Sequence, residues 1–110
     1  MEPGDIFWAS VEVVSRPGTF QNHPAICFKE IDDGLIIFAG TSTALQRFAP
    51  LTVLDFSKGA YRSLQRYGMD RPTYFYWAYF QAITLTQVQS PALYALSEDD
   101  FDELLTAAGL

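Results

Sequence analysis

The 110-residue chain is predicted to be mainly β: a small, strongly bent barrel with one C-terminal α-helix and a short helix in the middle. Three observations lead there. β-branched and aromatic residues dominate residues 6–14, 35–39 and 73–88, a composition that suits a pleated, half-buried surface. The turn signals Pro17-Gly18 and Asp32-Asp33-Gly34 separate the early runs at hairpin spacing. Only the last stretch combines a helix cap, first-turn acids and apolar residues at helical spacing.

The first strand is expected over Ile6–Val14, followed by a polar loop through Asn22. A second strand begins near Ala25 and runs to Phe28 or beyond, at the end of the stretch Gln21-Asn22-His23-Pro24. Leu35–Ala39 is a short continuous apolar run, consistent with a central strand. Leu51–Leu54 reads as another short strand. Ser57 then opens a helical turn with Tyr61, Leu64 and Gly68 on one side. On an α-helix, Lys58, Arg62 and Arg66 would recur at i, i+4 and i+8 and form a basic ridge.

Arg71-Pro72 breaks the chain before Thr73–Val88, which reads as one long strand or two strands with a bend. Its inward set is expected to include Ile83, Leu85 and Val88. Ser97-Glu98-Asp99-Asp100 resembles a capping box, with acids where the helix dipole favours them. Phe101, Leu104, Leu105 and Ala108 form the apolar face, and Gly109 is the stop.

The chain reads as a single domain over residues 1–110, with no internal repeat and no linker. Nearly half of the residues are apolar (49%), which excludes a disordered chain. No apolar run approaches the roughly 18 residues of a membrane span. The acidic, turn-prone start, Met1-Glu2-Pro3-Gly4-Asp5, lacks the basic opening of a signal peptide. The lone Cys27 sits among apolar neighbours and reads as an ordinary buried thiol. These features fit a soluble cytoplasmic protein. Neither a CxxC pair, an HExxH motif nor a P-loop is present, so no cofactor and no metal site is expected.

A net charge of −6 opposes nonspecific binding to nucleic acid. The distribution tempers that sign. Five acids, Glu98, Asp99, Asp100, Asp102 and Glu103, sit in the last 14 residues; the remainder holds 7 basic and 8 acidic groups. Residues 45–71 carry Arg47, Lys58, Arg62, Arg66 and Arg71 against only Asp55 and Asp70.

In order along the chain, the motifs resemble the PemK/MazF family of toxins from toxin–antitoxin systems. Gly4-Asp5-Ile6-Phe7 is similar to the family's first strand. His23-Pro24-Ala25-Ile26 stands where the family has an arginine, a proline and two apolar residues. The strand ending in Gly40-Thr41-Ser42 resembles the family strand ending in Thr-Ser. Arg71-Pro72-Thr73-Tyr74 and Phe80–Leu85 resemble its late strand, and Leu96, Phe101–Leu105 and Ala108-Gly109-Leu110 its final helix and end. The likeness covers nearly the whole length. It implies an SH3-like barrel, a homodimer, metal-independent cleavage of single-stranded RNA, and neutralisation by an antitoxin protein.

That reaction sends a ribose 2′-hydroxyl against the adjacent phosphate. It needs a base, an acid, and cations or donors for the developing charge. The resemblance assigns phosphate or ribose contacts to Thr41 and Ser42. The family arginine is replaced by His23, and a second family arginine falls on Ile83. An imidazole with a pKa of about 6.5 is a fit acid or base but lacks the guanidinium's permanent charge. Arg16, in the preceding loop, is the candidate to supply it, giving an Arg16/His23/Thr41/Ser42 site.

Lys58, Arg62 and Arg66 are candidate substrate contacts. Each candidate also has a plain alternative: a His23 ring bonded locally in a turn, a strand-ending Thr41-Ser42, solvated arginines, and a solvated helix face. Exposed rings in Tyr74–Phe80 would stack bases; buried ones would fill the core or a dimer interface. Two other functions stay open. One is a barrel that has lost catalysis and binds protein or nucleic acid. The other is a CcdB-like contact poison of topoisomerase.

Overall fold

A computed structural model describes all of residues 1–110. Six strands form one antiparallel sheet: β1 (Asp5–Glu12), β2 (Phe20–Ile31), β3 (Gly34–Thr41), β4 (Thr52–Asp55), β5 (Pro72–Thr84) and β6 (Tyr94–Ala95). Their order is β4-β5-β3-β2-β1-β6. A 3₁₀ helix spans Gly59–Tyr67, and one α-helix, α1, spans Glu98–Ala108.

The sheet curls because its last run of chain lies back along its first strand. After β5, a 3₁₀ turn at Leu85–Gln87 leads to Val88, which bridges to Ala9. The Gln89 N–H then donates to the Trp8 carbonyl (2.8 Å), and β6 pairs with Asp5 and Ile6. This curled half-barrel is compatible with an SH3-like barrel. No helix is long and apolar enough to cross a membrane.

Strand alternation divides the apolar residues between two clusters. The inner one draws on β1, β2, β3 and β5, with Phe7, Ala9, Ala25, Cys27, Ile37, Ala39, Tyr76 and Tyr79. The outer one combines Ile6, Ile26, Phe38 and Phe75 of the sheet with Phe56, Leu64 and Leu104 from the elements laid over it. α1 forms as expected. The Ser97 side chain accepts the Asp100 N–H, Leu104 is fully buried, and Gly109 closes the helix in the left-handed conformation (φ 74°).

Glycine at position 34 serves close approach, since a Cβ there would sit 1.9 Å from the Ile83 carbonyl oxygen. The hairpin turn itself is Asp32-Asp33, with Ile31 paired to Gly34.

Three expectations are corrected. The middle helix is 3₁₀ rather than α, and Ser57 does not cap it; Lys58 precedes it in extended conformation. At three residues per turn, positions four apart lie a third of a turn apart, so no basic ridge forms. Leu85 faces solvent, 64% exposed, because the strand has already given way to a 3₁₀ turn. Finally, the loop does not run through Asn22 and β2 does not wait for Ala25: the strand starts at Phe20 and its first residues pair with β1, Gln21 opposite Val11 and Pro24 opposite Trp8.

Proline is tolerated there for a local reason. Both backbone groups of Trp8 bond to the 89–90 segment, so Pro24 is not asked for an N–H. On the other side, the β2–β3 ladder begins only at Ala25 and Ala39.

The aromatic run divides at a wide bulge. Between the pairs Phe38–Phe80 and Gly40–Phe75, four residues of β5 oppose Ala39 alone. Phe75, Tyr76 and Tyr79 are buried, whereas Trp77 is 51% exposed and stacks on Phe80 at 4.8 Å.

Candidate functional site: a cleft beside the β2–β3 split

Beyond the Ala25–Ala39 pair, before Ala25 in β2 and after Ala39 in β3, the two strands part. The connection from the 3₁₀ helix to β5 crosses nearby, leaving a cleft of about 360 Å³. His23 and Ser42 line it with Gln21, Asn22, Trp8, Asp70, Arg71 and Thr73. Asp70 is the cleft's carboxylate and Arg71 its cation.

Each wall has a local cause. Trp8 donates its indole N–H to the Tyr67 carbonyl at 2.9 Å, fastening β1 to the end of the 3₁₀ helix. Gly68 follows in left-handed conformation (φ 86°), turning the chain toward Arg71. The buried Thr73 hydroxyl donates to the Arg71 carbonyl at 3.3 Å. Arg71 Nε lies 3.4 Å from Asp70 Oδ1 in an exposed pair.

His23 sits opposite Ala9, two residues before the inward-facing Ala25, so its ring turns to the inner face. Its centroid lies 5.9 Å from that of Tyr79. Nδ1 lies 3.0 Å from the Gly40 carbonyl oxygen. A carbonyl only accepts, so Nδ1 carries the proton and the neutral ring's lone pair is on Nε2. Nε2 is buried and has no hydrogen-bond partner. Burial holds the His23 pKa below the ordinary histidine value of 6.5, with the Gly40 bond partly opposing it.

The other candidates are dispersed. Thr41, at the end of β3, pairs with Tyr74, and its hydroxyl oxygen accepts the Thr43 N–H at 3.3 Å; it does not line the cleft. Arg16 also lies outside the cleft, in the β1–β2 loop, bonded through its backbone to Val13 and Thr19. Lys58 is 3.6 Å from Asp55, and Arg66 lies over the Tyr67 ring at 4.8 Å. The expected Arg16/His23/Thr41/Ser42 constellation is therefore not assembled as such: His23 and Ser42 meet, and the cation beside them is Arg71.

Arg71 is not among the site residues that the sequence suggests; its only signals there are the motif Arg71-Pro72-Thr73-Tyr74 and its place among the basic residues of the middle. Nothing local marked Trp8, Gln21 or Asn22 as its neighbours. Cys27 is an inert buried thiol, its pKa pushed up to about 11 by burial. No group of three or more His, Cys, Asp and Glu side chains is placed to hold a metal ion. No family model matches the chain, and no curated protein matches it.

Proposed function

We propose that this chain is a PemK/MazF-like toxin that engages single-stranded RNA in the cleft and is a candidate metal-independent endoribonuclease of the cytoplasm. The observation carrying this reading is the meeting of His23, Ser42 and Arg71 in one cleft, residues from three separate parts of the chain. The ordered resemblance of the motifs and the curled sheet support it.

Chemically, Arg71 supplies the permanent charge for a phosphodiester, and the Ser42 hydroxyl supplies a donor. The imidazole of His23 takes the proton from the ribose 2′-hydroxyl as that oxygen bonds to phosphorus. The P–O5′ bond then breaks, the leaving 5′-oxygen takes a proton from solvent water, and the His23 imidazolium returns its proton to solvent. The products are a 2′,3′-cyclic phosphate and a 5′-hydroxyl end. Because Nε2 is turned inward in the resting conformation, this role requires the ring to rotate into the cleft. A homodimer and an antitoxin protein are the partners this reading carries.

The second reading is a barrel of the same type that binds without cutting, as a protein- or nucleic-acid-binding module. The inward His23 ring and its bond to Gly40 favour it. Incubating the protein with long single-stranded RNA and a chelator separates the two. Cyclic phosphate ends that disappear in His23→Ala and Arg71→Ala establish the nuclease. RNA retained by the protein but left intact establishes the binding module.

A further inference from the structure

We infer that His23 is a proton-controlled latch on the cleft wall: the neutral ring clips the diverging ends of β2 and β3 together, and the protonated ring swings out to Asp70.

The geometry begins with the backbone. Ala25–Ala39 is the first rung of the β2–β3 ladder. Beyond it, the imidazole takes over the bridging, with Nδ1 donating to the carbonyl of Gly40. The clip depends on a neutral ring. Nε2 is buried without a partner, and a bare lone pair there costs less than a cationic N–H with no acceptor. Protonation would put such a donor against the inner face.

The groups facing the ring offer no relief in place. On β1 its ladder partner is Ala9, and on β3 its contact is the Gly40 carbonyl, already used by Nδ1. On β5 the neighbour is the Tyr79 ring. The charged groups are Asp70 and Arg71, across the cleft on the connection into β5. Asp70 is the carboxylate that lines the same cleft as His23, and the latch assigns it as the acceptor for the outward-turned imidazolium. Its present partner, Arg71, is held only by an exposed contact at 3.4 Å, which is easily exchanged. Burial, which disfavours the charged ring in place, sets the release on the acid side of an ordinary histidine.

The latch describes the RNA-free protein, in which the neutral ring stays inward. The base role proposed above belongs to a neutral ring drawn into the cleft by bound RNA, so the test of the latch does not use RNA. Long-range ¹H–¹⁵N correlation spectra of the labelled full chain, recorded from pH 8 to pH 4.5, report tautomer and titration together. The expected result is the Nδ1–H tautomer at high pH and a midpoint below 6.5. Backbone amides of Thr41, Ser42 and Asp70 should shift at that same midpoint. An Nε2–H tautomer, or a titration that leaves those amides unmoved, overturns the latch.

Two variants sharpen the test. His23→Gln keeps a donor for Gly40 but cannot titrate in this range, so the coupled amide transition should vanish; its persistence overturns the assignment to His23. Asp70→Asn removes the outward acceptor and should lower the midpoint. An unchanged midpoint overturns the swing to Asp70.

Discussion

The Trp8 indole N–H donates to the Tyr67 carbonyl at 2.9 Å, joining the first strand to the end of the 3₁₀ helix 59 residues later. The backbone of the same residue bonds on its other side to Gln89 and Ser90. One residue therefore fastens the cleft wall, the first strand and the returning chain. Trp8→Phe keeps much of the apolar contact and removes the donor. The expected loss is about 1 kcal/mol in urea unfolding, with faster hydrogen exchange at Gly68 and Met69. Unchanged exchange at those amides would show that the bond does not hold the wall.

Glycines 34 and 40 differ in what blocks a side chain. At Gly34 the obstacle is backbone, the Ile83 carbonyl oxygen at 1.9 Å from a Cβ. At Gly40 it is side chain, the Thr73 methyl at 2.4 Å and the Phe75 ring at 2.8 Å. Side chains yield more readily than a paired strand. Gly34→Ala should cost about 3 kcal/mol or more, and Gly40→Ala about 1–2 kcal/mol. Equal thermal shifts for the two variants would contradict this ordering.

Tyr61 of the 3₁₀ helix donates its hydroxyl to the Asp100 carboxylate of α1. Burial, followed by that bond, pushes the Tyr61 pKa up to about 12. Absorbance titration should show a late tyrosine ionisation that Tyr61→Phe removes. The variant should also lose about 1 kcal/mol, because the carboxylate is left without its donor.

Stability should depend on pH through His23. Its folded-state pKa lies below the unfolded value of 6.5, so the unfolded chain binds the proton more readily. The His23 contribution is therefore complete above about 6.5 and is lost as pH falls from there through the lower folded-state value. Urea midpoints at pH 7.5 and pH 5.5 should differ in wild type by more than in His23→Gln. An equal difference in both would assign the loss to other groups.

The fold was legible where local chemistry and long-range pairing agree. Ser97 and its acids announced α1, the apolar run before Gly40 announced β3, and Asp32-Asp33 announced a hairpin. The middle was not. In Ser57–Gly68, Leu64 is buried in one cluster with Phe56, and Tyr61 packs on Phe56 and Tyr94, contacts with no local sequence signature. β6 was missed because two residues make no periodic pattern, and it exists by pairing with β1. For the site, motifs point to His23 and Ser42, whereas Arg71 reaches them only through the pairing of the start of β5 with the end of β3. Arg16 was favoured for nearness in sequence, and the β1–β2 turn keeps it away from the cleft.

The most direct test of the cleft is to titrate a short single-stranded RNA into ¹⁵N-labelled protein and follow the backbone amides. Shifts should concentrate at Gln21–His23, Ser42 and Gly68–Thr73, and should be lost in Arg71→Ala. Shifts confined to the face carrying Trp77 and Phe80, or none at RNA concentrations that saturate other single-strand binders, would contradict the assignment of the cleft as the RNA site.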